Sequence, residues 1–168
     1  MFSFFSSDQS HLDVHVTGQC ADAEHAYSSK CQSLVKVVNP GDKLCMARAI
    51  NMGLKYIECG EQRTPDFLAY CRNQQQQEQR DAAEALLSDA GIATDKLEYG
   101  IREAKRIQQL LNTRYGVGQI RIVIFAHQLN NRVAWKGWSD KTSAYNLCLY
   151  HEANHFAFLG SPKQLLKV

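Results

Sequence analysis

The spacing of apolar residues changes near Gly118. From residue 44 to residue 115, apolar residues recur every three or four positions, which predicts amphipathic helices. We expect these helices over residues 44–58, 65–71, a segment that ends at 91, and 97–115. After that point, short apolar runs between turn residues predict strands. We expect strands over residues 120–125, 132–138, 145–150 and 155–159, and one earlier strand over 33–38. Helices followed by neighbouring strands predict an α+β domain, with helices packed on a small, mostly antiparallel sheet.

The length and composition are those of an ordinary globular domain. The chain has 168 residues, of which 45% are hydrophobic and 21% are charged. We expect a polar, loosely ordered N-terminal segment over residues 1–30 and one folded domain over residues 31–168. The net charge of +2 gives no basis for a nucleic-acid partner. No apolar run is long enough to span a membrane or to form a signal peptide, so we expect an intracellular protein, cytoplasmic or nuclear.

Six cysteines are scattered along the chain without any Cys-x-x-Cys pair. In a core-sized domain they are expected to be free thiols, with three disulfides as the less favoured alternative. His11 and His15 are four residues apart, with Cys20 and Cys31 downstream, but these spacings form only a loose set. We therefore predict no metal and no other cofactor.

Cys45 stands in the first turn of the predicted helix over residues 44–58. Unpaired N–H groups and the helix dipole at a helix start stabilise a thiolate. The same N–H groups can stabilise an oxyanion during acyl transfer. Cys45 is therefore a candidate nucleophile. The alternative is a small buried hydrophobic residue, since free cysteine is among the most buried residue types.

His155 begins the last predicted strand and is the candidate base for Cys45. A polar histidine that precedes an apolar run lies at the end of a sheet, where it can face a helix start. A nucleophilic thiol requires an imidazole within hydrogen-bond reach. The alternative is a solvent-facing loop histidine.

Residues 42–50 (DKLCMARAI) and 154–158 (NHFAF) resemble motifs of the ovarian-tumour (OTU) cysteine proteases. That family has an Asp-x-x-Cys-x-x-x-x-Ile helix start and a late His-aromatic-x-apolar strand. More closely, residues 34–159 resemble the OTU-like segment of the protein-primed family B DNA polymerases of Maverick/Polinton-type elements. The resemblance points to a mobile-element or viral protein that belongs to a larger polymerase polyprotein.

By this resemblance, Cys45 is the nucleophile and His155 is the general base. Asp42 matches the Asp that shapes the loop before the helix in that family, and it is counted with the catalytic residues. The backbone N–H groups of Lys43, Leu44 and Cys45 form the oxyanion hole. The expected reaction is hydrolysis of isopeptide or peptide bonds, with ubiquitin or a ubiquitin-like protein as the substrate and partner.

The chain departs from the family pattern at Ala157, where many members carry an Asp or Asn that orients the histidine. Asn154 and Asp13 are the candidate substitutes for this orienting residue. The alternative function is a catalytically weak or inactive OTU-like module, which binds ubiquitin-like tails or recruits a polymerase.

Three further residues are candidates for a substrate groove. Trp135 and Trp138 can border such a groove, although paired tryptophans more often pack a sheet. His151 lies four residues before His155 and is either a substrate contact or, as we favour, a surface residue.

Overall fold

The computed structural model of the protein describes residues 17–18, 33–37, 41–72, 77–138 and 143–165. The helices are α1 (Cys45–Glu58), α2 (Pro65–Arg72), α3 (Gln77–Asp89), α4 (Ile101–Tyr115) and α5 (Pro162–Leu165). The strands are β1 (Thr17–Gly18), β2 (Leu34–Val35), β3 (Tyr99–Gly100), β4 (Ile120–Ala126), β5 (Arg132–Lys136), β6 (Tyr145–Glu152) and β7 (His155–Leu159). The predicted α+β class is confirmed.

The ends of α1, α2 and α3 follow from local sequence signals. Gly60 adopts a φ of 74° after α1, a left-handed conformation that glycine reaches without steric cost. The Thr64 hydroxyl accepts a hydrogen bond from the Phe67 N–H and caps the start of α2. Gly91, with a φ of 68°, follows the end of α3. The predicted boundaries of α1 and α3 are therefore confirmed to within about two residues.

The start of α4 differs from the prediction. The helix was expected from residue 97, but it begins at Ile101, and Leu97 is 73% exposed rather than part of the apolar stripe. Gly100 is extended and pairs with Thr17, while its N–H donates to the Glu103 carboxylate. This capping contact fixes the first turn at Ile101 and leaves Leu97 in the preceding loop.

Five strands form a mixed sheet in the order β2-β7-β6-β4-β5. The pairs β2–β7, β7–β6 and β4–β5 are antiparallel, and β4–β6 is parallel, so the sheet is mostly antiparallel as predicted. The parallel pair arises because β5 runs antiparallel to β4 along one edge of β4. The chain then crosses to the opposite edge of β4, where β6 runs in the same direction.

The two faces of the sheet differ in what covers them. The helices cover one face, which carries Leu147 and Leu149 of β6 together with Phe156 and Phe158 of β7. The opposite face carries a smaller apolar cluster. Its buried members are Val123, Phe125, Cys148, Tyr150, Ala157 and Leu159. Side chains of β6 and β7 therefore alternate between a thick core and a thin one.

The predicted division at residue 30 lies largely outside the described residues. Within them, Thr17–Gly18 pair with Tyr99–Gly100, which joins part of the N-terminal segment to the start of α4. In the described part of the chain, no helix is both long and apolar enough to cross a membrane.

Gly53 fits α1 closely against β6. A Cβ atom added at Gly53 would lie 2.5 Å from Cγ of the buried Leu147 side chain. Gly53→Ala is therefore expected to lower the free energy of unfolding by about 1–3 kcal/mol through overpacking. At an unhindered helix position the same change stabilises by roughly 0.5–1 kcal/mol.

Urea unfolding of Gly53→Ala, Leu147→Val and the double variant measures this contact. Leu147→Val removes volume next to Gly53, so the double variant is expected to be more stable than the sum of the single changes implies. Strict additivity, or a stabilised Gly53→Ala, contradicts the close approach.

Candidate functional site

Cys45 is the first residue of α1 and is fully buried. The N–H groups of a first helical turn lack partners within the helix, and they carry the positive end of its dipole. No acidic residue stands in this turn to offset the dipole. The predicted position of Cys45 at a helix start is confirmed. A helix start favours a thiolate, and complete burial opposes one.

Asp42 fixes the loop that leads into α1. Its Oδ1 accepts a hydrogen bond from the Leu44 N–H at 3.1 Å, and its Oδ2 lies 2.5 Å from Nη2 of Arg48. The Arg48 and Asp42 side chains are only 1% and 11% exposed, so this ion pair is largely shielded from water. Asp42 therefore holds the loop through contacts that are largely buried.

The Asp42 contact alters the oxyanion hole expected at Lys43, Leu44 and Cys45. A backbone N–H that donates to a carboxylate is not directed at a substrate oxygen. In this structure the Leu44 N–H is engaged by Asp42. The Leu44 N–H is therefore the one of the three predicted donors that the described contacts remove from the oxyanion hole.

Two contacts fix the direction in which α1 crosses the sheet. Gly53, in the second half of the helix, packs on Leu147 near the start of β6. Tyr56, near the end of the helix, packs on Phe158 of β7 with ring centroids 5.2 Å apart. The N-terminus of α1 therefore points toward the end of β6 and the start of β7. Cys45 and His155 accordingly lie at the same end of the sheet.

A backbone carbonyl fixes the His155 ring. His155 is 3% exposed, and its Nε2 lies 2.8 Å from the Val37 carbonyl oxygen. A carbonyl oxygen can only accept, so Nε2 carries the proton and Nδ1 carries the lone pair of the neutral ring. The tautomer that this contact selects has Nδ1 as the proton acceptor.

Of the two predicted orienting residues, the structure describes only Asn154. Asn154 is exposed in the two-residue turn between β6 and β7, with a φ of 60°. Asp13 lies outside the described residues. Ala157 is buried in the thin core on the opposite face of the sheet from the helices. Sequence reasoning missed the Val37 carbonyl because a backbone group leaves no residue-type signal.

His151 is buried rather than exposed, which corrects the favoured surface interpretation. It is 2% exposed, and its ring centroid lies 4.9 Å from that of its register partner Phe156. Phe156 faces the helices, so His151 lies on the same face as α1. It does not line a surface groove, and it stands near the end of the sheet that Cys45 faces.

Trp135 and Trp138 lie far from His155, so they do not border a groove beside it. Trp135 is on β5, the sheet edge three strands away from β7, a distance of about 14 Å at ordinary strand spacing. Trp138 follows β5, where its backbone carbonyl accepts from Arg121 and its ring lies under the Arg121 guanidinium. Both tryptophans are half-buried and pack the sheet edge.

A polar cavity of ≈ 300 Å³ opens beside the loop before α1. It lies between that loop, α3 and the segment before β3. Its lining residues are Gly41, Asp42, Lys43, Leu44, Arg80, Glu84, Thr94, Asp95, Lys96 and Leu97. No sequence pattern marked this cavity, because it is assembled from three segments that are distant in the chain.

Four cysteines within the described ranges are free thiols: Cys45, Cys59, Cys71 and Cys148. Burial raises the pKa of Cys71 to about 11 and the pKa of Cys148 to about 12. Both are therefore protonated near neutral pH and are poor nucleophiles. Cys59 is half-buried after the end of α1.

Among the described residues, no group of three or more His, Cys, Asp or Glu side chains is placed to hold a metal ion. The loose set of His11, His15, Cys20 and Cys31 lies outside them.

Comparison with known proteins returned no match to a family model, to a curated protein or to a solved structure.

Removing one partner of the buried Asp42–Arg48 ion pair is expected to be costly. Asp42→Ala deprives the Arg48 guanidinium of a compensating charge, which predicts a loss of about 3 kcal/mol in the free energy of unfolding. Asp42→Ala combined with Arg48→Met removes both charges and is expected to recover most of that loss.

Denaturant unfolding of these variants tests the pair, with Glu58→Ala as the control. Glu58 forms an exposed ion pair with Lys55 on the same helix, and its removal is expected to cost less than about 1 kcal/mol. A double variant that is less stable than Asp42→Ala contradicts the interpretation.

Proposed function

We propose that this chain is a thiol hydrolase of the OTU-like type. Its substrates are isopeptide or peptide bonds at the tails of ubiquitin or ubiquitin-like proteins. Cys45 is the nucleophile and His155 is the general base. The observation that carries the proposal is the position of Cys45 at a helix start, at the same end of the sheet as a buried imidazole whose Nε2 is held by the Val37 carbonyl.

The proposed reaction begins with transfer of the Cys45 thiol proton to Nδ1 of His155. The thiolate sulfur attacks the carbonyl carbon of the scissile bond and forms a C–S bond. The C–N bond then breaks, and the amine leaves with the proton from the imidazolium. Water, deprotonated by His155, hydrolyses the thioester, which releases the acid and regenerates the thiol.

Developing negative charge on the substrate oxygen requires donors near Cys45. The N–H groups of Lys43 and Cys45 supply them in this proposal, together with the positive end of the α1 dipole. The Asp42–Arg48 ion pair holds the loop in place while leaving no net charge beside the reaction. The contribution of Asp42 is therefore to geometry.

Access to Cys45 requires a change on substrate binding, because its side chain has no exposed surface. The polar cavity beside residues 41–44 is the open space next to this loop. An extended tail seated there would approach the loop from the side of Lys43. We therefore propose this cavity as the entrance for the substrate tail.

A second candidate function is a non-catalytic module that binds ubiquitin-like tails or recruits a polymerase. It is favoured by the complete burial of Cys45 and by the engagement of the Leu44 N–H with Asp42. The hydrolase proposal is preferred because burial of the thiol can be relieved by substrate.

Covalent labelling by a ubiquitin-tail electrophile tests the hydrolase proposal. The wild-type chain is expected to form a one-to-one adduct at Cys45, measured by intact mass and peptide mapping. Cys45→Ala is expected to abolish the adduct, and His155→Ala to slow its formation by at least about 100-fold, the usual contribution of a general base.

Two further variants make the labelling specific. Cys59→Ser removes a half-buried thiol and should leave labelling unchanged. His151→Asn tests the other buried histidine at this end of the sheet, and it should slow labelling much less than His155→Ala. Labelling that depends on His151 instead of His155 would refute the assigned base. Noncovalent binding of ubiquitin without any adduct would support the binding module.

A further inference from the structure

A second cavity, of ≈ 600 Å³, opens beside the half of α1 that is remote from Cys45. Leu54 and Ile57 of α1 are among its apolar lining residues. Ile120 and Tyr145, the first residues of β4 and β6, also line it and are register partners in the sheet. Leu54 is nine residues from Cys45, which is roughly 14 Å along the helix axis. The cavity is therefore separate from the candidate active site.

Exposed apolar side chains continue this surface beyond the cavity. Tyr115 and Tyr145 line the cavity and are exposed, and Val117, two residues after Tyr115, is 83% exposed. In the described part of the chain, the other exposed large hydrophobic residues are Leu97 and Val133. Single exposed apolar residues are ordinary, but a contiguous group of them marks an interaction site.

The extent of the apolar surface indicates a macromolecular ligand. A small molecule is largely enclosed by its pocket. Here the apolar surface runs past the mouth of the cavity to Val117. Tyrosine is enriched where proteins bind one another, and Tyr70, Tyr115 and Tyr145 all line this cavity. A segment of another protein fits these features better than a small molecule does.

The charges around the cavity are unbalanced. Glu58 and Glu78 line it, and Lys55 is the one cation among its described lining residues. Nζ of Lys55 lies 3.2 Å from the Glu58 carboxylate, whereas Glu78 forms no ion pair with a described residue. Burial raises the pKa of Tyr70 to about 12, with smaller contributions from Cys71 and Glu78, so Tyr70 adds no charge near neutral pH. The Glu78 carboxylate favours a ligand that carries a positive charge.

Asn51 is a polar residue in the lining of this cavity. Its Nδ2 is buried and makes no hydrogen bond to any residue that the structure describes. A buried N–H donor without an acceptor is unfavourable. Rotation of this side-chain amide would direct Nδ2 into the cavity, where a carbonyl oxygen can accept. A peptide offers such a carbonyl at every residue.

We propose that this cavity, with the exposed side chains beside it, is a docking surface for a partner protein that inserts an apolar peptide segment carrying a basic residue. The apolar side chains of the segment fill the cavity, its basic residue faces Glu78, and one of its backbone carbonyls accepts from Asn51. The inference does not depend on the proposed thiol-hydrolase function, because the docking surface includes no residue of the candidate active site.

The test is a titration with the peptide acetyl-Phe-Phe-Lys-amide, followed by methyl NMR. Methyl signals of Leu54, Ile57, Val117 and Ile120 are expected to shift saturably, with a Kd on the order of 1 mM for so short a peptide. The Leu97 methyl signals, at the cavity beside the candidate active site, should not shift. Acetyl-Phe-Phe-Glu-amide differs only in its charge and is expected to bind about 3–5-fold more weakly.

Matched variants assign each part of the docking surface. Glu78→Gln is expected to abolish the preference for the lysine peptide over the glutamate peptide. Asn51→Leu should weaken both peptides alike, by about 2–10-fold, because it removes a hydrogen bond and no charge. Val117→Ser should weaken binding at least about twofold, whereas Val133→Ser, the same change at an exposed valine elsewhere, should not. Thermal melting checks that each variant is folded.

Several outcomes overturn the inference. One is the absence of saturable shifts at about 10 mM lysine peptide. Others are shifts centred on Leu97, a charge preference that persists in Glu78→Gln, or equal effects of Val117→Ser and Val133→Ser. Sedimentation of the chain alone provides a further check. Self-association that Val117→Ser abolishes would show that a second copy of the chain occupies this surface, and would overturn the assignment to a partner protein.

Discussion

The packing of α1 across β6 and β7 is the contact on which the candidate site depends. A helix of 14 residues is about 21 Å long, so the direction in which it crosses the sheet decides which end receives its first turn. Gly53 against Leu147 and Tyr56 against Phe158 set that direction. With the opposite direction, Cys45 would lie beside the start of β6, far from His155. A glycine in the middle of α1 thus helps to decide which end of the sheet receives the first turn of the helix.

The second constraint is the Val37 carbonyl, which sets the ring orientation of His155 but supplies no charge. A carboxylate in that place would both hold the tautomer and stabilise an imidazolium. A neutral carbonyl performs only the first task. In this fold the orientation comes from Val37, two residues after β2, rather than from a side chain at position 157.

Local features of the fold were predictable from sequence, and features that join distant segments were not. Spacing of apolar residues and capping residues located α1, α2 and α3 because those signals act within a few residues. The start of α4 was missed because Gly100 is held by Thr17, far away in the chain. At the candidate site, the placement of Cys45 at a helix start followed from local pattern. The Val37 contact, the burial of His151 and the remote position of Trp135 depend on strand order, which no local pattern encodes.

Three buried cysteines in the same domain illustrate what distinguishes a candidate nucleophile from a core residue. Cys71 and Cys148 have thiol pKa values raised to about 11 and about 12 by burial. Cys45 is at least as buried as either, so burial alone would also keep its thiol protonated. It differs in standing at the first turn of a helix, at the sheet end that holds His155. Reactivity at Cys45 therefore depends on whether the helix dipole and the imidazole together outweigh desolvation. That balance is electrostatic, and it depends on the direction in which α1 crosses the sheet.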